Sequence, residues 1–307
     1  METGLIPHAL PAALAIVLAP LLPGVVNRTK AMFAGRTGPP LLQTWYDIAK
    51  LLRKGAVYST TATWLFRAGP AVGLAALLAA LLLVPAGGLG APLRFGGDVV
   101  LFAYLLALAR FGCILAALDT GSAFEGMGAS REAQFSALAE PALFLGVAAL
   151  ARQSGELSLS GMYAALDPAT WGRAFPALCL IAVSLFVVLL SENSRMPVDD
   201  PGTHLELTMI HEVMVLDHGG PDLAFITYAA ALKLWVLGAL VVGLLVPVRT
   251  ENFALDLGAF LTGMAALGVA IGVVESVLAR FSLLRVPKFL GSAAVLAALA
   301  FLLVPRV

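Results

Sequence analysis

The sequence predicts an all-α integral membrane protein with eight transmembrane helices and one amphipathic helix on the cytoplasmic surface. Three observations carry that prediction. The 307-residue chain is 60% hydrophobic and 12% charged, with a mean hydropathy of +0.93, whereas a soluble domain carries about 25% charged residues. The apolar residues fall in eight runs, near 5–26, 69–88, 98–118, 132–151, 174–191, 222–247, 253–279 and 288–305, each close to the ~20 residues needed to cross the hydrocarbon. Lysine and arginine are divided unevenly between the loops, as in proteins with a fixed orientation in a bilayer. The whole chain, 1–307, reads as a single polytopic domain.

The first run is followed, not preceded, by Arg28 and Lys30, so it reads as a transmembrane helix rather than a cleavable leader. A loop at about 27–68 comes next. Gly35, Gly38, Pro39 and Pro40 bend the chain and release a helix. There Leu41, Leu42, Trp45, Ile48, Leu51 and Leu52 recur at helical spacing, with Asp47, Lys50, Arg53 and Lys54 on other faces. That is a surface helix, and it serves as a lipid anchor, a cavity wall or a dock for a soluble partner. The second and third runs are joined by the turn VPAGGLGAP. The fourth is the weakest, because Glu140-Pro141 lies inside it. No internal repeat is evident, which counts against a repeat-built transporter.

Twelve of the 19 lysines and arginines fall on the side of the loops at about 27–68 and 192–222, and five on the other; Arg110 and Lys233 lie within runs. The asymmetry predicts both termini outside and both large loops in the cytoplasm. A net charge of zero gives no long-range field that would attract nucleic acid. Cys113 and Cys179 are far apart in apolar runs. Two lone thiols are too few for an iron–sulfur or nickel–iron centre, which needs about four cysteine ligands, and they read as small buried hydrophobes.

The segment SENSRMPVDDPGTHLELTMIHEVMVLDHGGPD, 191–222, is unusual in so greasy a chain. It holds seven of the 19 acidic residues, three of the four histidines and a single basic residue, Arg195. His204, His211 and His218 are spaced by seven, with Glu206 and Asp217 nearby. Histidine and carboxylate are good zinc or iron ligands, but a spacing of seven leaves two turns between imidazoles, so no metal site is predicted. Proton handling or an interface and a solvated polar loop remain open. Prolines 197, 201 and 221 and glycines 202, 219 and 220 argue against one unbroken helix.

Several charges stand at membrane depth, where each costs about 2.5–3.5 kcal/mol on insertion scales. Such groups face a hydrated cavity or one another, so they read either as an ion or proton path or as structural pairs. Glu140 lies midway along the fourth run, beside Pro141, which removes a backbone hydrogen bond. Lys233 lies in the sixth run as a candidate partner for a buried carboxylate. Glu275 lies near the end of the seventh, with Arg280 as a candidate partner. Arg110 precedes Asp119 near the end of the third, and Glu192 closes the fifth.

GRTGPPLLQTWYDIAKLL, LDTGSAFEGMGASREAQFSALAEP and ENSRMPVDDPGTHLELTMIHE, each followed by its apolar run, resemble the membrane anchor subunit of group 4 membrane-bound [NiFe] hydrogenases of the hydrogenase-4 and formate hydrogenlyase type. The same fold serves as the quinone-site membrane subunit of respiratory complex I. The resemblance covers about residues 20–290. It implies eight helices, a bacterial or archaeal cytoplasmic (inner) membrane, and no redox centre in this chain. The [NiFe] site and iron–sulfur clusters would belong to large and small hydrogenase subunits seated on the two cytoplasmic loops, beside antiporter-like membrane subunits.

It also implies site residues. A proton path would use Asp119, Glu125, Glu132, Glu140 and Glu192 from the resembling motifs, joined by Lys233 and Glu275, which are candidates for their place at membrane depth. The docking and cavity loops would use Arg36, Asp47, Arg131, Arg195, Asp199, Asp200, His204, Glu206, His211 and Glu212. Where complex I has PFDLAEAE this chain has PVDDPGTHLE, which favours the hydrogenase branch over quinone binding; the quinone-site subunit stays the alternative.

Overall fold

The computed structural model describes residues 5–199, 209–250 and 252–304; Asp200, His204 and Glu206 lie outside them. The order is α1 (Leu5–Leu18), α2 (Leu21–Phe33), α3 (Gln43–Leu52), α4 (Trp64–Leu81), α5 (Asp98–Asp119), α6 (Ala123–Ser154), α7 (Leu159–Ala164), α8 (Pro168–Glu192), a 3₁₀ turn (Glu212–Val215), α9 (Gly220–Leu245), α10 (Phe253–Val277) and α11 (Val286–Leu303). Seven helices are long and apolar enough to cross a membrane, and α1 with α2 makes an eighth span bent by 50°. The protein is an all-α integral membrane protein.

The bend in the first span follows from proline chemistry. Pro20 lacks the N–H that would bond the carbonyl of Ile16 four residues back. Tyr228 on α9 supplies that donor, with its hydroxyl 2.8 Å from the Ile16 carbonyl. The next carbonyl, on Val17, accepts from Trp45 Nε1 of α3 at 3.2 Å, and Trp45 packs against Tyr228 with ring centroids 5.9 Å apart. The amphipathic helix is therefore tied to the break by two aromatic donors.

Packing follows small residues, as membrane helices require in the absence of a hydrophobic driving force between them. α4 lies on α5, α11 on α6 and α8, α10 on α2, and α9 on α3 and α4. A Cβ on Gly69 of α4 would come within 2.6 Å of the Gly112 carbonyl on α5, and one on Gly272 of α10 within 2.6 Å of Thr29 Cβ on α2.

Several boundaries differ from the sequence reading: the first span runs on to Phe33, α4 occupies Trp64–Leu81 rather than 69–88, and α6 and α8 begin early. α6 starts at Ala123 rather than near 132. Its 32 residues span about 48 Å at 1.5 Å each, longer than the ~30 Å hydrocarbon. The extra turns carry Glu125 and Arg131, so hydropathy does not see them. They pack on the 3₁₀ turn, which makes α6 the pillar of the loop end. α8 starts at Pro168 and is kinked at Ala174, two residues before Pro176. At the opposite end Asp98 is fully buried and ties two segments together, accepting from Leu159 N at 2.7 Å and Ser158 Oγ at 2.8 Å.

Candidate functional site

Four spans contribute ionisable side chains to one cluster at membrane depth, and Arg110 is its hub. From α5, its Nη1 lies 2.6 Å from Glu140 Oε1 on α6, and its Nη2 lies 2.8 Å from Glu192 Oε1 at the end of α8. Its Nε is 4.0 Å from Glu132 Oε1, about two turns before Glu140 on α6. Lys233 of α9 closes on the second oxygen of Glu192 at 2.8 Å. The Arg110, Glu192 and Lys233 side chains are 9%, 5% and 14% exposed, which leaves little water to stabilise any of them alone.

A second layer lies nearer the loops. Glu275 has a fully buried carboxylate between Lys30 Nζ, at 2.8 Å, and Arg195 Nη1, at 3.4 Å. Arg280, the partner suggested by sequence proximity, pairs instead with Asp199 at 2.8 Å. The helix stops at Val277 and Leu278 is extended, so residue 280 leaves the face that carries Glu275. Phe281 N bonds the Pro197 carbonyl, which draws Arg280 to the 193–199 segment. Asp199 also accepts from the backbone N–H groups of Ile210 and His211 at 3.1 and 3.3 Å. It thereby ties together the two sides of the loop, 199 and 210–211.

The remaining candidates are placed as follows. Arg131 on α6 donates to the Met209 carbonyl at 2.8 Å. Glu125, fully buried in the first turn of α6, accepts from Asp217 N at 3.0 Å. Asp119 accepts from Thr63 N and Oγ1 and from Phe66 N at 2.6, 2.8 and 3.2 Å. It supplies the first turn of α4 with acceptors that the helix start lacks, and it stands apart from the Arg110 cluster. Asp47 accepts from Gln43 and, with Glu212 and His211, lines the main cavity. Arg36 is exposed.

Two cavities meet at the hub. The larger, about 590 Å³, is walled by parts of α2, α4, α5, α8 and α9 and by the loop, and Lys30, Arg110, Glu132, Glu192, Arg195 and Lys233 face it. The smaller, about 210 Å³, sits on the outer flank between α5, α6 and α8, with Tyr104, Glu140 and Phe144 in its wall. Arg110 and Glu192 line both. The Glu140 side chain is 41% exposed, on a flank where Tyr104 and Phe111 also point outward.

Burial pushes the His211 imidazole down to about 4, and the Lys233 ammonium pushes in the same direction, so His211 is neutral at pH 7. His218 is lowered as well, first by burial. It stacks flat on Phe66 at 4.0 Å, and neither ring nitrogen has a hydrogen-bond partner. Among the described residues no group of three or more His, Cys, Asp or Glu side chains is arranged to hold a metal.

Arg110 as hub, Lys30 as partner of Glu275 and Arg280 as partner of Asp199 are absent from the site residues drawn from the sequence. The signal for Arg110 was its place inside an apolar run. Lys30 and Arg280 gave none, because each sits beside a span end, where cations are ordinary.

Fold and site together define a polytopic helical membrane subunit built around an ion-paired internal cavity. The family model described as NADH dehydrogenase matches residues 8–305, and the chain belongs to that family. It is 30% identical over 269 residues to formate hydrogenlyase subunit 4 of Escherichia coli K12, covering 87% of this chain and 83% of the relative. It is also 30% identical over 299 residues to hydrogenase-4 component C of the same organism, covering 94% and 92%. Its fold matches, with a TM-score of 0.84 and 22% identity over 98% of this chain and 99% of the other, a chain in the structure of the membrane-bound sulfane sulfur reductase, an archaeal respiratory membrane complex.

Proposed function

We propose that this chain is the membrane-anchoring, proton-conducting subunit of an energy-converting [NiFe] hydrogenase complex in a prokaryotic cytoplasmic membrane. The observation that carries the reading is the Arg110 bridge. One guanidinium binds Glu192 at the cavity and Glu140 on the outer flank, so a charge change in the cavity is felt at the flank through a single side chain. The two relatives named as formate hydrogenlyase and hydrogenase-4 subunits favour the hydrogenase branch.

In this reading the loops at 27–68 and 192–222 face the cytoplasm and seat large and small hydrogenase subunits, which carry the [NiFe] centre and the iron–sulfur clusters. Redox events there shift the loop held by Asp199, Arg131 and Arg280. The shift reaches the cavity through His211 and Arg195. Protons then pass by Glu132, Glu192 and Glu140 towards antiporter-like subunits on the α5–α6–α8 flank. The chain supplies carboxyl groups and counter-charges and does no redox chemistry.

The test is proton movement in inverted vesicles holding the intact complex, driven by a reduced low-potential dye and followed together with hydrogen release. A fall in protons moved per hydrogen in Glu140→Gln supports the reading; an unchanged ratio overturns it. One observation favours the alternative, a quinone-site subunit of a complex I-type enzyme: the main cavity has the volume of a small-molecule site. Inhibition of the complex by a quinone-site inhibitor decides for it.

A further inference from the structure

We propose that Glu132 is the carboxyl group that holds the exchangeable proton in the resting protein, while Glu140 and Glu192 stay ionised. This deepens the proton-path reading above by naming the loaded residue.

The cluster at membrane depth contains three carboxyl groups, Glu132, Glu140 and Glu192, and two cations, Arg110 and Lys233. An ionised carboxylate far from water needs a partner of opposite charge or shed charge by binding a proton. With two cations for three carboxyls, one negative charge is in excess. The second layer holds three cations for two carboxylates, but Lys30 and Arg195 both close on Glu275 and Arg280 closes on Asp199, so their contacts are to those groups and not to Glu132. Of the two imidazoles in the cavity wall, His211 and His218, His211 is uncharged at neutral pH and His218 is likewise lowered by burial.

Geometry then selects the group that is neutralised. Glu192 accepts from both cations at 2.8 Å and Glu140 accepts from Arg110 at 2.6 Å; those are distances of charge-assisted bonds. Glu132 lies 4.0 Å from Arg110 Nε, beyond hydrogen-bond range. The guanidinium spends both terminal nitrogens on the other two carboxylates. Its Nε, in a side chain 91% buried, has no hydrogen-bond partner and faces Glu132. A carboxylate at that position would draw the guanidinium into contact; a neutral acid leaves the gap seen.

The location suits a store. Glu132 lines the main cavity on one side and a small void beside Ser136, Ser194 and Ile210 on the other, under the loop that Asp199 ties. A shift of Arg110 towards Glu132 would expel its proton and release Glu140 or Glu192 to accept one, so the stored proton and the bridge are alternative states of one cluster.

The experiment is infrared spectroscopy of the purified complex at neutral pH in H₂O and D₂O. The expected result is a carbonyl band of a protonated carboxylic acid that shifts in D₂O, is lost in Glu132→Gln and is kept in Glu140→Gln. Because an amide imitates a neutral acid in shape and charge, Glu132→Gln should also assemble at wild-type yield, whereas Glu192→Gln should not. A band retained in Glu132→Gln, no such band in the wild type, or failed assembly of Glu132→Gln overturns the assignment. Proton movement by Glu132→Gln vesicles is read separately. Loss of the band with wild-type pumping upholds Glu132 as the protonated group and removes it from the conducting path.

Discussion

Lys233 on α9 ends 2.8 Å from Glu192 on α8, and the opposite oxygen of the same carboxylate is held by Arg110. A single buried carboxylate thus pairs with two cations from two other helices, one of which, Arg110, it shares with Glu140. The arrangement is a structural knot as well as a site, and the two roles separate by mutation. Glu192→Gln leaves two buried cations short of a partner and should cost about 3–5 kcal/mol, the usual penalty for breaking a buried pair from one side. The thermal midpoint of the detergent-solubilised complex checks this. Lys233→Gln added to Glu192→Gln should recover part of the loss; an additive double variant would mean the two side chains do not act on each other.

Glu140 should behave differently. It pairs with Arg110 from the outer flank, and Arg110 keeps Glu192 when Glu140 is replaced, so removing its charge costs little in the fold. Glu140→Gln should assemble with its partners, and the protons moved per hydrogen released should fall. Arg110→Gln, by contrast, should lose both stability and coupling, since it leaves Glu140 and Glu192 short of their shared cation.

Among the described residues Asp199 joins three things: Arg280, the N–H of Ile210 and the N–H of His211. Asp199→Asn keeps the shape but weakens all three bonds, each about 1.5–3 kcal/mol when one partner is charged. The loop should open, which limited proteolysis near residues 200–209 detects, and less soluble arm should co-purify. Wild-type recovery of the arm would remove the loop from the docking face.

His211 makes the loop sensitive to acid. Its imidazole titrates near 4 in the fold against an ordinary 6.5, so between these values the unfolded chain binds the extra proton. Stability therefore rises with pH across that window. The contribution of neutral His211 is complete above 6.5 and is lost as the pH falls towards 4. Protection of the amides of residues 209–218, corrected for the intrinsic pH dependence of exchange, should fall on acidification in the wild type, and the difference from His211→Gln should vanish above pH 7. A constant difference between the two at every pH would remove the titration from the explanation.

Gly272 reports on packing alone. A side chain there meets Thr29 Cβ at 2.6 Å and the Val26 carbonyl at 2.9 Å. Gly272→Val should part α10 from α2 and cost about 1–3 kcal/mol. Because Lys30 rides on α2 and Glu275 on α10, the same change should loosen that ion pair. Equal thermal midpoints for variant and wild type would show that the two helices do not touch as described.

The sequence by itself determined the solvent of this protein and the number of its spans. Hydropathy and the ~20-residue length of the apolar runs are written locally in the chain. It also determined that charges lie at membrane depth, because an ionisable residue inside an apolar run is visible without knowing its neighbours. Tertiary structure alone decided the partners. Arg110 meets residues 30 and 82 positions away, Glu140 and Glu192, and Glu275 prefers Lys30, 245 positions distant, to Arg280, five positions away. A salt bridge is selected by which helix faces pack together and by where a helix ends. Those depend on glycine contacts and proline breaks summed over the whole bundle, and no local reading of charge spacing contains them.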